Sequence, residues 1–151
     1  MGGRLVTATR TYPALPLVGV GAVVFRNDHV LLVKRGHPPR QGVWAFPGGL
    51  VELGERIFAA AQRELQEETG IQGEPIDVVD VFEIIERDET GKVRYHYVVI
   101  EVLLRYLDGE PRAADDAAEA RWVAVEHLDG IELSPGVKTI IEKARKKINA
   151  H

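Results

Sequence analysis

Four β-rich apolar runs fall in two pairs on either side of one helix-forming segment, and no other feature constrains the chain as much. Leu17 to Phe25 (LVGVGAVVF) and His29 to Arg35 (HVLLVKR) are separated by the turn residues Asn27 and Asp28 and read as a hairpin. Ile76 to Arg87 and Val93 to Leu107 flank the polar tip DETGK and read as a second one. Between the pairs lie the loop GHPPRQG, a short extended piece from Val43 to Phe46, and a proline-free run from Arg56 to Thr69. In that run Phe58, Ala61 and Leu65 recur at i, i+3 and i+7 as an apolar stripe, and Gly70 suits the left-handed position that ends a helix. Periodicity alone supports a mixed α/β class and nothing narrower.

Beyond the second hairpin, Asp108, Gly109 and Pro111 end the strand, and AADDAAEA is an acidic connector with no assignable structure. RWVAV reads as another strand. The last element is expected to start with Ser134 as N-cap and Pro135 in the first helical position, and to align Val137, Ile140, Ile141, Ala144 and Ile148 on one face. Its closing Lys143, Arg145, Lys146 and Lys147 complement the helix dipole and read as a solvated helix end. With 151 residues, 45% hydrophobic and 28% charged, and no internal repeat, the chain is expected to form one domain over residues 1–151, with 1–16 as a loose segment. A net charge of −4 offers no general attraction for nucleic acid or an anionic membrane. The absence of cysteine excludes disulfides, thiolate metal sites and cysteine nucleophiles. Without a signal-like apolar core or a membrane-length apolar run, a cytoplasmic location is expected.

The end of the first helix poses a physical problem. Glu64, Glu67 and Glu68 crowd its last turns, where like charges repel and the macrodipole is negative, so something positive should compensate. At about 100° per residue, Glu64 and Glu68 lie about 40° apart and Glu67 about 60° to the other side of Glu64. Three such carboxylates suit Mg²⁺ or Mn²⁺, which take oxygen ligands and share their shell with phosphates. A solvated acidic face is the plain alternative, but Gly48 and Gly49 just upstream permit unusual backbone angles and close approach of a ligand. Arg63 is placed to pair with Glu55 and orient the cluster.

Gly49, Glu55 and the block Arg63-Glu64-Leu65-Gln66-Glu67-Glu68-Thr69-Gly70-Ile71 match the signature of the Nudix hydrolases at every fixed position. Each residue type makes up roughly 5–10% of ordinary sequence, so coincidence is a poor explanation. The preceding VWAFPGG and the order of strands also resemble that family. The resemblance implies an α/β/α sandwich with a central mixed sheet, and divalent-cation-dependent hydrolysis of compounds in which a nucleoside diphosphate is linked to another group. It implies Glu64, Glu67, Glu68 and the Gly48 carbonyl as metal ligands, supported by Glu55 and Arg63.

Relatives differ over the general base. The candidates are Glu67 on the helix, and Asp115, Asp116 or Glu119 before Trp122, of which Glu119 is preferred among the later acids. By resemblance Arg35 is a substrate contact, its guanidinium suiting phosphate or a base edge. Phe46, just before Pro47-Gly48-Gly49, is placed either to stack on a base or to pack as plain core, the commoner role for a phenylalanine in a short strand. His29, His37, His96, His127 and His151 lack paired ligand spacing and are given no metal role. ADP-ribose is the leading substrate. A housecleaning nucleoside triphosphatase is the alternative, and a non-catalytic nucleotide sensor a third reading. A homodimer is compatible with the resemblance.

Overall fold

The structure, a computed structural model, describes residues 9–37, 40–114 and 117–151. Strand β1 (Leu17–Arg26) is apolar on both faces and is therefore covered on both. It runs parallel to β6 (Val93–Asp108) along one side. On the other it pairs antiparallel with β2 (His29–Arg35) at its end and with β4 (Gly48–Leu50) at its start. β5 (Gln72–Arg87) forms one edge against β6, while β3 (Trp44–Ala45) and β7 (Ala117–Ala124) both pair with β2. The described residues thus form one mixed seven-stranded sheet.

Helix α1 (Ile57–Thr69) packs Ala60, Ala61 and Leu65 on Val20, Ala22 and Val24 of β1 and Ile100, Val102 and Leu104 of β6. Helix α2 (Val137–Ala150) covers the opposite face, with Ile140 and Ala144 on Val23, Val79 and Leu103, and Val137 and Ile141 on Val30, Leu32 and Trp44. This is the expected α/β/α sandwich. Five consecutive buried residues in β6, Ile100 to Leu104, follow from cover on both sides. No helix among the described residues is long and apolar enough to cross a membrane.

Four details differ from the sequence reading. Phe58 is 39% exposed, because α1 enters the buried clusters only from Ala60 onward. α2 begins at Val137 after a left-handed Gly136, not at Ser134 and Pro135. Ser134 is instead held in a turn, its carbonyl accepting from the Val137 amide at 3.3 Å and its amide donating to the Trp44 carbonyl at 2.8 Å. β5 starts at Gln72 and includes Pro75, which an edge strand with a bulge between Pro75 and Asp77 tolerates. Finally, the loose leading segment has no helix or strand in its described part, yet Tyr12 is fastened to the tip of the second hairpin. Its hydroxyl donates to Asp88 at 2.8 Å and its amide to the Arg94 carbonyl at 2.7 Å.

Candidate active site

β4 is the meeting point of the loop and the acidic helix. Its register sets Gly48 against Gly21 and Gly49 against Val20. A Cβ on Gly48 would overlap the Val20 carbonyl oxygen, and one on Gly49 would overlap the Glu64 carboxylate. Both glycines are required by close approach, the first to a neighbouring strand and the second to the Glu64 side chain. The Gly48 amide donates to Glu68 Oε1 at 3.1 Å, so Glu68 and Glu64 lie against adjacent residues, Gly48 and Gly49.

Arg63 supplies the compensating charge that the cluster demands. Its Nε donates to Glu55 Oε2 at 2.7 Å and its Nη2 to Glu55 Oε1 at 2.8 Å, a forked pair with geometric specificity as well as strength. Nη2 also donates to the Leu50 carbonyl at 3.1 Å, tying helix to loop. Nη1 donates to Glu67 Oε1 at 3.1 Å and lies 3.5 Å from Glu64 Oε2. The Arg63 hydrogen bond, with the Glu52 amide adding to it, holds the Glu55 carboxyl down to about 2, and Glu55 in turn raises the guanidinium above its ordinary value. The carboxylate is therefore ionised throughout the neutral range.

The C-terminus of α1 is closed by the β6–β7 connector. Arg112 and Ala114 donate their amides to the carbonyls of Thr69 at 2.9 Å and Glu68 at 3.1 Å. The Arg112 side chain lies against left-handed Gly70, putting a cation at the negative end of the helix.

Gly48, Glu64, Glu68, Arg63 and Glu55 are thus brought together. Glu67 lies on the same helix, half exposed and turned to Arg63. Glu119 sits on β7 opposite Lys34, 3.7 Å from its ammonium. Strand alternation puts it on the face away from α1, since Trp122 packs in the α1 cluster and Val123 in the α2 cluster. Asp115 and Asp116 lie outside the described residues. Arg35 ends β2, exposed, its amide donating to the Val43 carbonyl at 3.0 Å. Phe46 is half-buried and packs with both clusters on the α2 face.

Glu101 and Arg112 were not singled out by sequence reasoning. A signal existed for Glu101, a lone acid inside VVIEVLL, a run otherwise suited to burial on both sides. No three His, Asp or Glu side chains among the described residues are already gathered as a metal site. The donors at Gly48–Gly49 are nonetheless oxygens, two of them the converging carboxylates of Glu64 and Glu68, which suits a hard divalent cation.

Comparison with known proteins gives a consistent picture. Residues 15–144 match the family model described as the NUDIX domain. An ADP-ribose pyrophosphatase of Methanocaldococcus jannaschii is 35% identical over 113 residues, 75% of this chain, which spans 64% of that relative's length. A putative 8-oxo-dGTP diphosphatase 2 of Mycobacterium tuberculosis is 35% identical over 135 residues, 88% of this chain and 90% of that one. Among solved structures, a MutT NUDIX hydrolase from Burkholderia pseudomallei superposes with a TM-score of 0.74 at 31% identity, covering 85% of this chain and 98% of its own.

Proposed function

Because the chain belongs to the Nudix family, whose members generally use divalent metal ions, we propose that it is a metal-dependent pyrophosphohydrolase of nucleoside diphosphate-linked compounds. The leading substrate is ADP-ribose, cleaved to AMP and ribose 5-phosphate. The observation that carries this reading is the placement of the Glu64 and Glu68 carboxylates on Gly48 and Gly49, with Arg63 forked to Glu55 behind them.

Gly48, Glu64, Glu67 and Glu68 would hold Mg²⁺ or Mn²⁺, which when bound neutralises the diphosphate and lowers the pKa of a water. Glu67 is assigned as the acceptor of the water proton. Its half-exposed carboxylate is within reach of solvent, and Arg63 orients it. Oxygen of that water bonds to phosphorus, the P–O bond of the bridge breaks, and the bridging oxygen leaves with the other phosphoryl group. Glu119, exposed and paired with Lys34 on the other face, is the alternative acceptor. Arg35 and Phe46 are assigned to substrate contact, and the partner is a small nucleotide.

A second reading, hydrolysis of a nucleoside triphosphate to the monophosphate and diphosphate, is favoured by the M. tuberculosis relative, whose name states such an activity and which this chain matches nearly end to end. Product identification over a panel of nucleoside diphosphate sugars and nucleoside triphosphates, with Mg²⁺ or Mn²⁺, tests both. AMP and ribose 5-phosphate from ADP-ribose support the first. Diphosphate released from a triphosphate supports the second, and tight binding without turnover of any compound overturns both in favour of a sensor. Glu67→Gln should lower turnover on the order of 10²–10⁴-fold and Glu119→Gln should not; the reverse moves the base to β7.

A further inference from the structure

Among the described residues Glu101 is the one buried acid of the sheet, and nothing in the proposed hydrolysis uses it. It is 4% exposed, with Val99 and Ile100 before it and Val102, Leu103 and Leu104 after it. Its carboxylate lies over Gly21 of β1 and fills the place where any other residue would carry a Cβ. Burial pushes its carboxyl up to about 7, and the charge of Asp80 across the β5–β6 ladder pushes in the same direction. Among the described residues, neither a hydrogen bond nor a cation offsets those two effects. Lys143 of α2 neutralises Asp80 itself, at 2.7 Å. Glu101 keeps a slight exposure, so a group from outside the chain can reach the carboxyl beside Gly21.

Its surroundings indicate what that group is. Strand alternation puts Glu101 on the face opposite α1, together with Val23 and Leu103, which α2 covers. In the other direction along the strands, the rungs beyond Glu101–Asp80 on this face are Val99–Phe82 and Tyr97–Ile84. No described residue of α2 joins a buried cluster with these rungs, Phe82 is 36% exposed, and Tyr97 stacks with Tyr95 at 6.4 Å. The result is a largely aromatic platform with the carboxyls of Glu101 and Asp80 at its covered end, a composition suited to stacking a flat heterocycle. It adjoins the motif loop, because Gly21 is flanked by Glu101 on one side and Gly48 on the other.

The geometry points to Glu101 as the base-recognising side chain of the site: with the base lying on the Phe82–Tyr97 platform, its carboxyl hydrogen-bonds the amino-bearing edge of a purine. This rests on the proposed function for the location of the phosphates, and it adds the residue that selects the nucleobase. The ionised carboxylate accepts from the N1–H and 2-amino group of guanine. The protonated form presents one donor and one acceptor to N1 and the 6-amino group of adenine.

The test uses the full chain and two variants, Glu101→Met, which keeps the unbranched shape without polar atoms, and Glu101→Gln, which keeps one donor and one acceptor. Binding of adenosine, guanosine and unsubstituted purine riboside is measured by NMR titration without metal, and KM and kcat over nucleoside diphosphate sugars that differ only in the base. Wild type should prefer an amino-bearing purine over purine riboside by about tenfold, a preference that Glu101→Met abolishes and Glu101→Gln partly restores. KM for the preferred substrate should rise correspondingly while kcat stays within about twofold. Equal affinity of wild type for all three nucleosides, or an unchanged base preference in folded Glu101→Met, overturns the assignment. Failure of wild type to hydrolyse any compound would instead overturn the proposed function, and the metal-free titration still decides the role of Glu101.

Discussion

The two helices cover opposite faces of one sheet, and their sequences solve different problems. α2 buries Val137, Ile140, Ile141 and Ala144, and its lysines reach across to the edge strand, Lys143 to Asp80 at 2.7 Å and Lys147 to Asp77 at 3.1 Å. α1 buries Ala60, Ala61, Leu65 and Thr69, with only one large apolar side chain among them. Small residues let α1 approach the sheet closely enough to set Glu64 on Gly49, and most of its remaining polar contacts run to the loop through Arg63. One helix is held by apolar area, the other by an arrangement whose charges are unfavourable alone. A helix that departs from the rules of good packing beside a glycine strand is where chemistry is expected.

That contrast breaks most visibly with one substitution on each helix. Glu64→Gln or Glu68→Gln should lower turnover by about 100-fold or more, since even residues that only support metal ligands cost about 10–100-fold. Neither should lower the melting temperature, because each relieves repulsion in the last turns of α1. Ile141→Ala, at a 1% exposed position on α2, should do the converse and cost about 2–5 kcal/mol of stability while turnover per folded molecule persists. Denaturant melts paired with active-site titration check both. A stability loss in Glu64→Gln as large as in Ile141→Ala would show that α1 is held by its carboxylates.

The adjacent glycines sharpen the same distinction within β4. Gly49→Ala directs a methyl group at the Glu64 carboxylate, a side chain able to swing aside, so it should sacrifice activity and keep the fold. Gly48→Ala directs one at the Val20 carbonyl, which belongs to a central strand, so it should destabilise the protein as overpacking does, by about 1–3 kcal/mol. Thermal melts and turnover of the two single variants would separate these outcomes.

Much of this was legible in the sequence, for identifiable reasons. The spacing from Gly49 through Glu55 to Glu68 encodes a local loop-helix geometry, so the Arg63–Glu55 fork and the convergence on Gly48 and Gly49 could be anticipated from residue order. The strand pairs were visible because turn residues punctuate them. The exposure of Phe58 was not visible, since its bearing on the helix is right and only the reach of the sheet beneath it is wrong. RWVAV marks only the latter part of β7, because Ala117 to Ala120 become a strand only through pairing with β2, and nothing in AADDAAEA itself favours extension. The side of the sheet on which Glu119 lies depends on that same register. Glu101 acquires meaning only once β6 is placed beside Gly21, a contact across 80 residues of chain.

Glu101 lies on the face that α2 covers, and its titration distinguishes packing from function. A carboxyl raised from 4.5 to about 7 binds its proton more tightly folded than unfolded, so wild-type stability falls as pH rises across that window. Glu101→Gln removes the linkage. It should be more stable than wild type by about 3 kcal/mol above pH 7, with the difference vanishing below about pH 4.5. Asp80 has the opposite sign, its carboxyl lowered by the Lys143 hydrogen bond, so the two proteins must be compared at each pH. A constant difference between them would mean that the carboxyl is satisfied within the fold.

The smallest effect is expected on the surface of α2, where the ion pairs are single lysine–aspartate contacts and differ from the Arg63–Glu55 fork in setting as well. Lys143 and Lys147 are 50% and 38% exposed, and their partners Asp80 and Asp77 are 33% and 40% exposed, whereas Arg63 and Glu55 are 24% and 16% exposed. Water and salt screen the first set, and exposed pairs of this kind contribute little to stability. The double variant Lys143→Met, Lys147→Met should leave turnover unchanged and lower the melting temperature only slightly, a difference that 1 M salt erases. The lysine hydrogen bonds lower the Asp77 and Asp80 carboxyls, so the stability that they contribute is present at neutral pH and lost as those groups protonate in acid. A melting deficit that survives both high salt and acid would locate the contribution in the aliphatic stems of the lysines packing on β5, and would make α2 a helix held by apolar area even at its charged edge.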